Sequence, residues 1–192
     1  MNETKLKVQN SSRLFFTADT HFFHEGCRKM CNRPHASVEE MNAHMVKVWN
    51  ETIGKKDTVI HVGDVSFGRT VDAKGLLESL NGNIVLVRGN HDHSDQLKKF
   101  GDRFERIVDI LRLTILDDDN QYIIACHFPM LTWDKAHYGA WHVHGHSHGS
   151  LKDVGMRRLD VGWDVWRAPL SYHELKFQMG PRTYVPVDHH GE

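Results

Sequence analysis

Five polar clusters in this chain each stand at the end of a short apolar run. Asp19, Thr20 and His21 follow RLFFT; Gly63 and Asp64 follow TVIHV; Gly89 to Asp92 (GNHD) follow IVLV; His127 follows QYIIAC; and Gly145 to His148 (GHSH) follow WHVH. Apolar runs of this length are the signature of buried strands, and side chains at the ends of buried strands are well placed to converge at one edge of a sheet. Within an extended segment, residues two apart point to the same side, so Asp19 with His21, and His146 with His148, can each reach one cavity. A single histidine in such a place is ordinarily a surface residue or a satisfied core imidazole, and one cluster would say little. Five in order, in a chain of 192 residues with 16 histidines, are hard to ascribe to packing. Carboxylates and neutral imidazoles suit Mg, Mn, Fe, Ni or Zn, whereas an all-cysteine set would favour softer ions.

The segments between the clusters alternate between helical and strand patterns. Val38, Met41, Met45, Val48, Trp49 and Ile53 recur at helical spacing, and Ser37 with Glu40 matches a capping box, which predicts a helix over 37–53. Strands are expected at 13–17, 58–62 and 84–87, with helices over 71–80 and 94–100. Farther on, 107–115 and 121–126 read as two strands joined through the acidic turn 117–120, followed by strands at 141–144 and 157–161 and a capped helix over 171–179. Strand and helix in alternation argue for an α/β core. The length suits one hydrophobic core, giving a polar lead over 1–12, a single domain over 13–180 and a tail over 181–192.

Charge narrows the function classes. With 24 Lys plus Arg against 25 Asp plus Glu, the formal charge is -1, which supplies no general attraction to nucleic acid or acidic lipid. No stretch approaches the ~20 apolar residues of a membrane span. The opening MNETKLKVQNSSR has no apolar leader, and the three cysteines (Cys27, Cys31, Cys126) form an odd set without a second finger-like pair. Thiols in a reducing compartment are therefore expected ahead of a structural zinc site, with the cytoplasm as location. The glycine-rich words lack the lysine and hydroxyl of a phosphate-binding P-loop.

Taken in order, DTH at 19–21, GD at 63–64, GNHD at 89–92, His127 and GHSH at 145–148 resemble the calcineurin-like metallophosphoesterase superfamily. DTHFFHEG, the RP at Arg33 and Pro34, the WN at Trp49 and Asn50, and LNGNIVLVRGNHD are similar to a small prokaryotic or phage-type branch of it. The resemblance implies a four-layer αββα sandwich, two central mixed β-sheets flanked by helices. It also implies two divalent metal ions, Mn or Fe ahead of Ni, Zn or Mg. One ion would be held by Asp19, His21, Asp64 and His148, and the other by Asp64, Asn90, His127 and His146. The implied activity is hydrolysis of a small phosphomonoester or phosphodiester, nucleotide-derived compounds among them, by a hydroxide bridging the metals. His91 would then protonate the leaving group or stabilise the transition state.

One departure stands out. Serine/threonine phosphatases of the superfamily continue their second motif as GDxxDRG, and the later Asp orients the catalytic histidine; here GDVSFGR places Phe67 at that position. Around the centre, His24 and Arg33 are candidate substrate contacts, and Asp92 is expected to orient neighbouring ligands rather than bind metal. His61 reads as a core histidine, Asn50 as a loop anchor, and Arg88 as either loop support or a phosphate contact. Trp133, His137, Tyr138 and Trp141 read as packing ahead of a base-stacking wall. Two other functions stay open: a DNA or RNA nuclease, which a basic groove would favour, and a catalytically silent binding or scaffold protein, which missing ligands would favour. No nucleic-acid groove or membrane partner is expected from the sequence, and oligomeric state is left open.

Overall fold

A computed structural model describes residues 4–67, 70–152 and 155–184. Two five-stranded sheets form its centre. The first is built from β2 (Leu14–Thr17), β3 (Thr58–His61), β4 (Asn83–Val87), β5 (Phe104–Val108) and β10 (Leu170–Ser171), in the order β10-β2-β3-β4-β5. Strands β2 to β5 run parallel and β10 antiparallel to β2. The second sheet takes β1 (Lys5–Val8), β6 (Ile110–Ile115), β7 (Gln121–Cys126), β8 (Trp141–His144) and β9 (Arg158–Asp160), in the order β1-β6-β7-β8-β9. Only the β6–β7 hairpin is antiparallel there. The protein is thus an α/β fold of two mixed sheets flanked by helices, consistent with the four-layer sandwich.

The sheets stack through Phe16, Ile60, Val62, Val85 and Val87 of the first and Leu111, Leu113, Ile123, Ala125 and Val143 of the second, all buried. The outer face of the first sheet carries Val59, Ile84 and Leu86. It is covered by α2 (Val38–Thr52), α3 (Thr70–Ser79) and α4 (Ser94–Phe100) through Met41, Met45, Trp49, Leu77 and Leu97. Burial of a large apolar side chain stabilises by roughly 1.5–3 kcal/mol, so the Met41, Met45 and Trp49 stripe is what docks α2. Ser37 caps that helix by accepting from Glu40 N, while the Glu40 carboxylate reaches back to Ala36 N instead of closing the box on Ser37. The last helix, α6 (Tyr172–Met179), has the full reciprocal box between Ser171 and Glu174. On the outside of the second sheet, Ile124, Trp133, Ala136, Ala140 and Met156 make a smaller cluster. Trp133 and Trp141 are buried, so they pack the fold and do not form an open wall.

Two expectations need correction. The run 107–115 is two strands: β5 ends at Val108, Asp109 is exposed, and Ile110 begins β6 in the other sheet. An apolar run continuous in sequence conceals this crossing, because Val108 of one strand and Leu111, Leu113 and Ile115 of the other are all buried in the same core between the sheets. The expected polar lead also holds an edge strand, since Lys5 to Val8 pair with Arg112 to Ile115. Two short helices, α1 (Glu25–Met30) and α5 (Trp163–Trp166), are too brief to show a periodicity. Most of the expected C-terminal tail, from 185 on, lies outside the described residues. Among the described residues, no helix is long and apolar enough to cross a membrane.

Candidate metal centre

All five clusters follow the C-terminal ends of β2, β3, β4, β7 and β8, and backbone hydrogen bonds lock the ends together. Asp19 N donates to Gly63 O at 2.9 Å, His21 N to Asp64 O at 3.0 Å and Gly145 N to His127 O at 3.0 Å. Across the two sheets, His146 N donates to Asp19 Oδ2 at 2.9 Å, and the His127 ring joins Val62 O through Nδ1 at 2.8 Å. The backbone is strained at these places. Asp19, His21, Asp64, His146 and His148 all have φ between 46° and 67°, the left-handed region that non-glycine residues seldom occupy. Strain of this kind costs of order 1–3 kcal/mol per residue and persists where the surrounding structure imposes it, typically at functional sites.

The strained turns aim side chains at one point. Oxygen and nitrogen atoms of Asp19, His21 and His148 lie within 4.8 Å of one another, as do those of Asp19, Asp64 and His127. Asp64 Oδ2 is surrounded by His21 Nε2 and His127 Nε2, each at 3.5 Å, and His91 Nε2 at 4.0 Å. Asn90 Oδ1 stands 3.1 Å from both His127 Nε2 and His146 Nδ1. Asp19, His21, Asp64 and His127 form a buried floor, while Asn90, His91 and His146 stand at the open side.

This donor set fits divalent cations. Val62 O accepts from Nδ1 of His127, which turns Nε2 toward Asp64 Oδ2 at 3.5 Å. Burial works against a proton there, but the carboxylates of Asp64 and Asp19 raise the pKa of the ring above its ordinary value. Lone pairs facing a carboxylate repel unless a proton or a cation lies between them. Burial raises the carboxyl of Asp19 to about 7, although His127 and His148 pull the other way, which marks a carboxylate short of positive charge. Burial also lowers His21 to about 3, keeping its ring neutral and able to bind a metal. At Asp64 the burial penalty is outweighed by His127 and by the backbone bond from His91, leaving its carboxyl well below the usual range.

A second layer of groups fixes these side chains. Asp92 accepts from Asp64 N (2.8 Å), Val65 N (3.0 Å) and Gly89 N (2.8 Å), tying two of the clusters to one carboxylate. Asp160 accepts from Ser147 Oγ, Gly149 N and Gly162 N and so shapes the GHSH turn. His148 Nδ1 meets Asp164 Oδ2 at 2.8 Å, an interaction that raises the pKa of that ring and leaves Nε2 free to face the cluster. Nothing in the sequence pattern singled out Asp164; its only signal is a carboxylate shortly after a β-strand, two residues beyond Gly162.

Arg33 is a correction. Its side chain is fully covered: Nε and Nη2 donate to the two Asp164 oxygens (2.9 and 2.8 Å), Nη1 to Thr20 O and Nη2 to Asp19 O, both 2.7 Å. Its donors are committed to holding the DTH turn, so it does not face a substrate. His24 stays at the rim, partly exposed and stacked on Phe67 with ring centres 4.0 Å apart, and its proximity to the cluster keeps it a candidate contact. Phe67 meets His91 edge-on at 5.3 Å. Arg88 pairs with Asp109, a loop-supporting role, and Asn50 anchors the α3–β4 turn through Ser79 O and Asn81 N. His61 is buried against Thr20 Oγ1 at 3.0 Å.

Other features of the wall escaped the sequence reading. Phe67 and Phe128 are each close to half exposed, 46% and 48%, on opposite sides of the cluster: Phe67 beside His91 and Phe128 against His127 and His146. Cys31 touches His148 Nδ1 at 3.4 Å, and burial pushes the thiols of Cys27 and Cys31 up.

Comparison with known proteins is consistent with this geometry. A family model described as calcineurin-like phosphoesterase matches residues 12–166. An uncharacterized protein of Methanocaldococcus jannaschii is 35% identical over 143 residues, 73% of this chain and 72% of its own length. The Gene 66 protein of Mycobacterium phage L5 is 27% identical over 85% of this chain and 92% of its own. A protein of unknown function from Aquifex aeolicus, known from its crystal structure, shares the fold with a TM-score of 0.67 at 20% identity, covering 85% of this chain and 97% of its own.

Proposed function

The chain belongs to the calcineurin-like phosphoesterase family, and we propose that it hydrolyses small, nucleotide-derived phosphoesters at a centre of two divalent ions. The observation that carries this reading is the convergence of two carboxylates, an amide and four imidazoles from five strand ends on one partly open cluster. Asp19, His21, Asp64 and His148 would hold one ion, and Asp64, Asn90, His127 and His146 the other. A donor set of oxygen and imidazole favours Mn or Fe, with Ni, Zn and Mg next. Bound there, such ions supply Lewis-acid charge to the phosphoryl oxygens and activate water as a nucleophile.

The protein's own side chains do the rest. Asp92 and Asp160 hold the ligand loops, and Asp164 holds the His148 ring by its Nδ1 proton, so Nε2 lone pairs need not be reoriented when a cation enters. His91, at the open side and 4.0 Å from Asp64 Oδ2, is placed to give a proton from Nε2 to a leaving oxygen. No carboxylate stands at the Phe67 position to orient it; the Phe67 ring edge limits its swing instead. That arrangement argues against a phosphoprotein phosphatase. Exposed aromatic rings on both sides of the cluster favour a substrate with a flat ring attached to its phosphate, and stacking on such rings is worth about 1–3 kcal/mol per base.

The test is reconstitution of metal-stripped protein with Mn, Fe, Ni, Zn or Mg, assayed on a nucleoside monophosphate and on its methyl diester, beside an Asp64→Asn variant. Turnover that needs metal and disappears in the variant is expected, and the ratio of the two rates assigns the bond. A folded, metal-loaded protein that cleaves neither ester would overturn the reading in favour of a silent binding protein.

A further inference from the structure

Two thiols lie behind the wall that carries His21 and His148, and the hydrolytic reading has no use for them. Cys27 sits within α1 and Cys31 caps its end, its N–H bonded to Cys27 O at 2.9 Å. That single turn brings the two Sγ atoms to 3.6 Å. Cys31 Sγ also lies 3.4 Å from His148 Nδ1, and Cys27 Sγ is within 4.8 Å of ring nitrogens of His21 and His24. The two differ in access. Cys27 is 1% exposed, whereas Cys31 is partly exposed and lines a cavity of about 380 Å³ together with Met30, His148 and Arg167.

We propose that Cys27 and Cys31 form a thiol oxidation site, converted by a low-molecular-weight disulfide into an intramolecular disulfide that displaces His148 and weakens the metal centre. The coupling to metal rests on the reading of the centre given above; the thiol chemistry does not. In the first step the Cys31 sulfur, having released its proton, attacks one sulfur of oxidised glutathione. A mixed disulfide forms, and one glutathione leaves as thiolate and takes up a proton. In the second the Cys27 sulfur, likewise giving up its proton, attacks Cys31 Sγ, and the second glutathione leaves. Two protein thiols are oxidised, one glutathione disulfide is reduced to two thiols, and no other reactant is needed.

Geometry supports both the bond and its consequence. A disulfide needs its sulfurs at about 2.0 Å, so the pair must close from 3.6 Å, and Cys31 moves while in contact with His148. Residues one helical turn apart have Cα atoms about 6 Å from each other, inside the range a disulfide spans. Their Cβ atoms, however, stand about 5–6 Å apart against the ~3.5–4.5 Å of a disulfide, so the last turn of α1, where Cys31 N bonds Cys27 O, has to open for the bond to form. A cation shared by Cys27, Cys31, His148 and Asp164 fits less well, because the Arg33 guanidinium already neutralises Asp164 at 2.8 Å. Burial of Cys27 makes the reaction slow, a response to sustained oxidation.

The experiment treats the purified full chain with oxidised glutathione and follows intact mass, a peptide map and Mn binding by calorimetry. Expected are loss of two hydrogens, a Cys27–Cys31 linked peptide, and Mn affinity at the centre lower by at least about tenfold, the scale of a disturbed ligand-orienting contact. Dithiothreitol should reverse all three. A Cys27→Ser variant, checked for folding by its thermal melt, should stop with one glutathionyl group on Cys31. A lasting glutathionyl adduct on Cys31 of the unaltered chain, or no reaction, would show that the thiols do not couple. A link that leaves Mn affinity unchanged would overturn the effect on the centre. If reduced protein binds no metal, the hydrolase reading and the coupling both fall, while the peptide map still decides the thiol chemistry.

Discussion

Gly145 lies so close to Asp19 that a Cβ on it would stand 2.5 Å from Asp19 Oδ2 and 2.6 Å from Ala18 Cβ. The GHSH turn and the DTH turn therefore meet through a glycine because a side chain there would push the carboxylate aside. A Gly145→Ala variant is expected to lose at least about tenfold in metal affinity by calorimetric titration, the scale of a misplaced ligand. Overpacking should also cost the metal-free fold about 1–3 kcal/mol in urea. Unchanged metal affinity would mean that Asp19 is free to move and does not hold a metal.

Arg33 offers a sharper choice between structure and binding. Its guanidinium is covered and paired with a nearly covered Asp164. Removing one member of a buried pair costs about 3–5 kcal/mol, so Arg33→Met should lower the free energy of unfolding by roughly that amount. Because the same donors hold the DTH turn, it should also weaken metal binding, while KM for a phosphoester measured at saturating metal stays within about twofold. A phosphate contact would reverse the pattern, with KM raised and stability kept.

How far the sequence reveals all this depends on what each residue answers to. Strands β2, β3 and β4 were legible because their apolar runs are bounded by polar ligands, and so was the meeting of the five clusters at one edge. Hidden were features that depend on long-range partners. Arg33 resembles a phosphate contact until Asp164, far along the chain, is seen to claim it. Val108 and Ile110 look like one strand until their pairing with β4 and β7 separates them. Phe67 showed only that a carboxylate is missing; its position between His24 and His91 is a property of packing.

Acid should destabilise the fold through buried histidines. His142 is held neutral by its bonds to Met130 N and Ile124 O, and burial lowers it from 6.5 to about 3. Above pH 6.5 neither folded nor unfolded chain binds this proton, and stability is full. Below it the unfolded chain takes up a proton that the folded one refuses, so stability falls toward pH 3 by up to about 1.4 kcal/mol per unit. Asp19 runs the other way, its raised carboxyl keeping a proton in the folded state between its unfolded value and about 7. Comparison with His142→Gln, whose amide can make both bonds, isolates one histidine. Urea midpoints of the metal-free proteins between pH 7 and 4.5 should converge as the pH falls; parallel curves would show that His142 titrates alike in both states.

The exposed rings make the last prediction, on the class of substrate. Phe67 stands on the His91 side of the cluster and Phe128 on the His146 side, each nearly half open to solvent. Leucine keeps the apolar bulk but has no flat face. One of the two variants Phe67→Leu and Phe128→Leu should therefore raise KM for a nucleoside monophosphate by between about fivefold and a hundredfold, the range of base stacking. Ribose 5-phosphate has the same leaving alcohol without the base, and its KM should not change. Only the ring that carries the base will respond, so the two variants also tell which side of the centre the leaving group occupies. A response at Phe67 puts the nucleoside beside His91, where a proton donor to its oxygen is needed. A response confined to Phe128 places the leaving group away from His91 and removes that histidine from leaving-group protonation. Equal KM values for both substrates in all three proteins would remove the base from the recognition altogether.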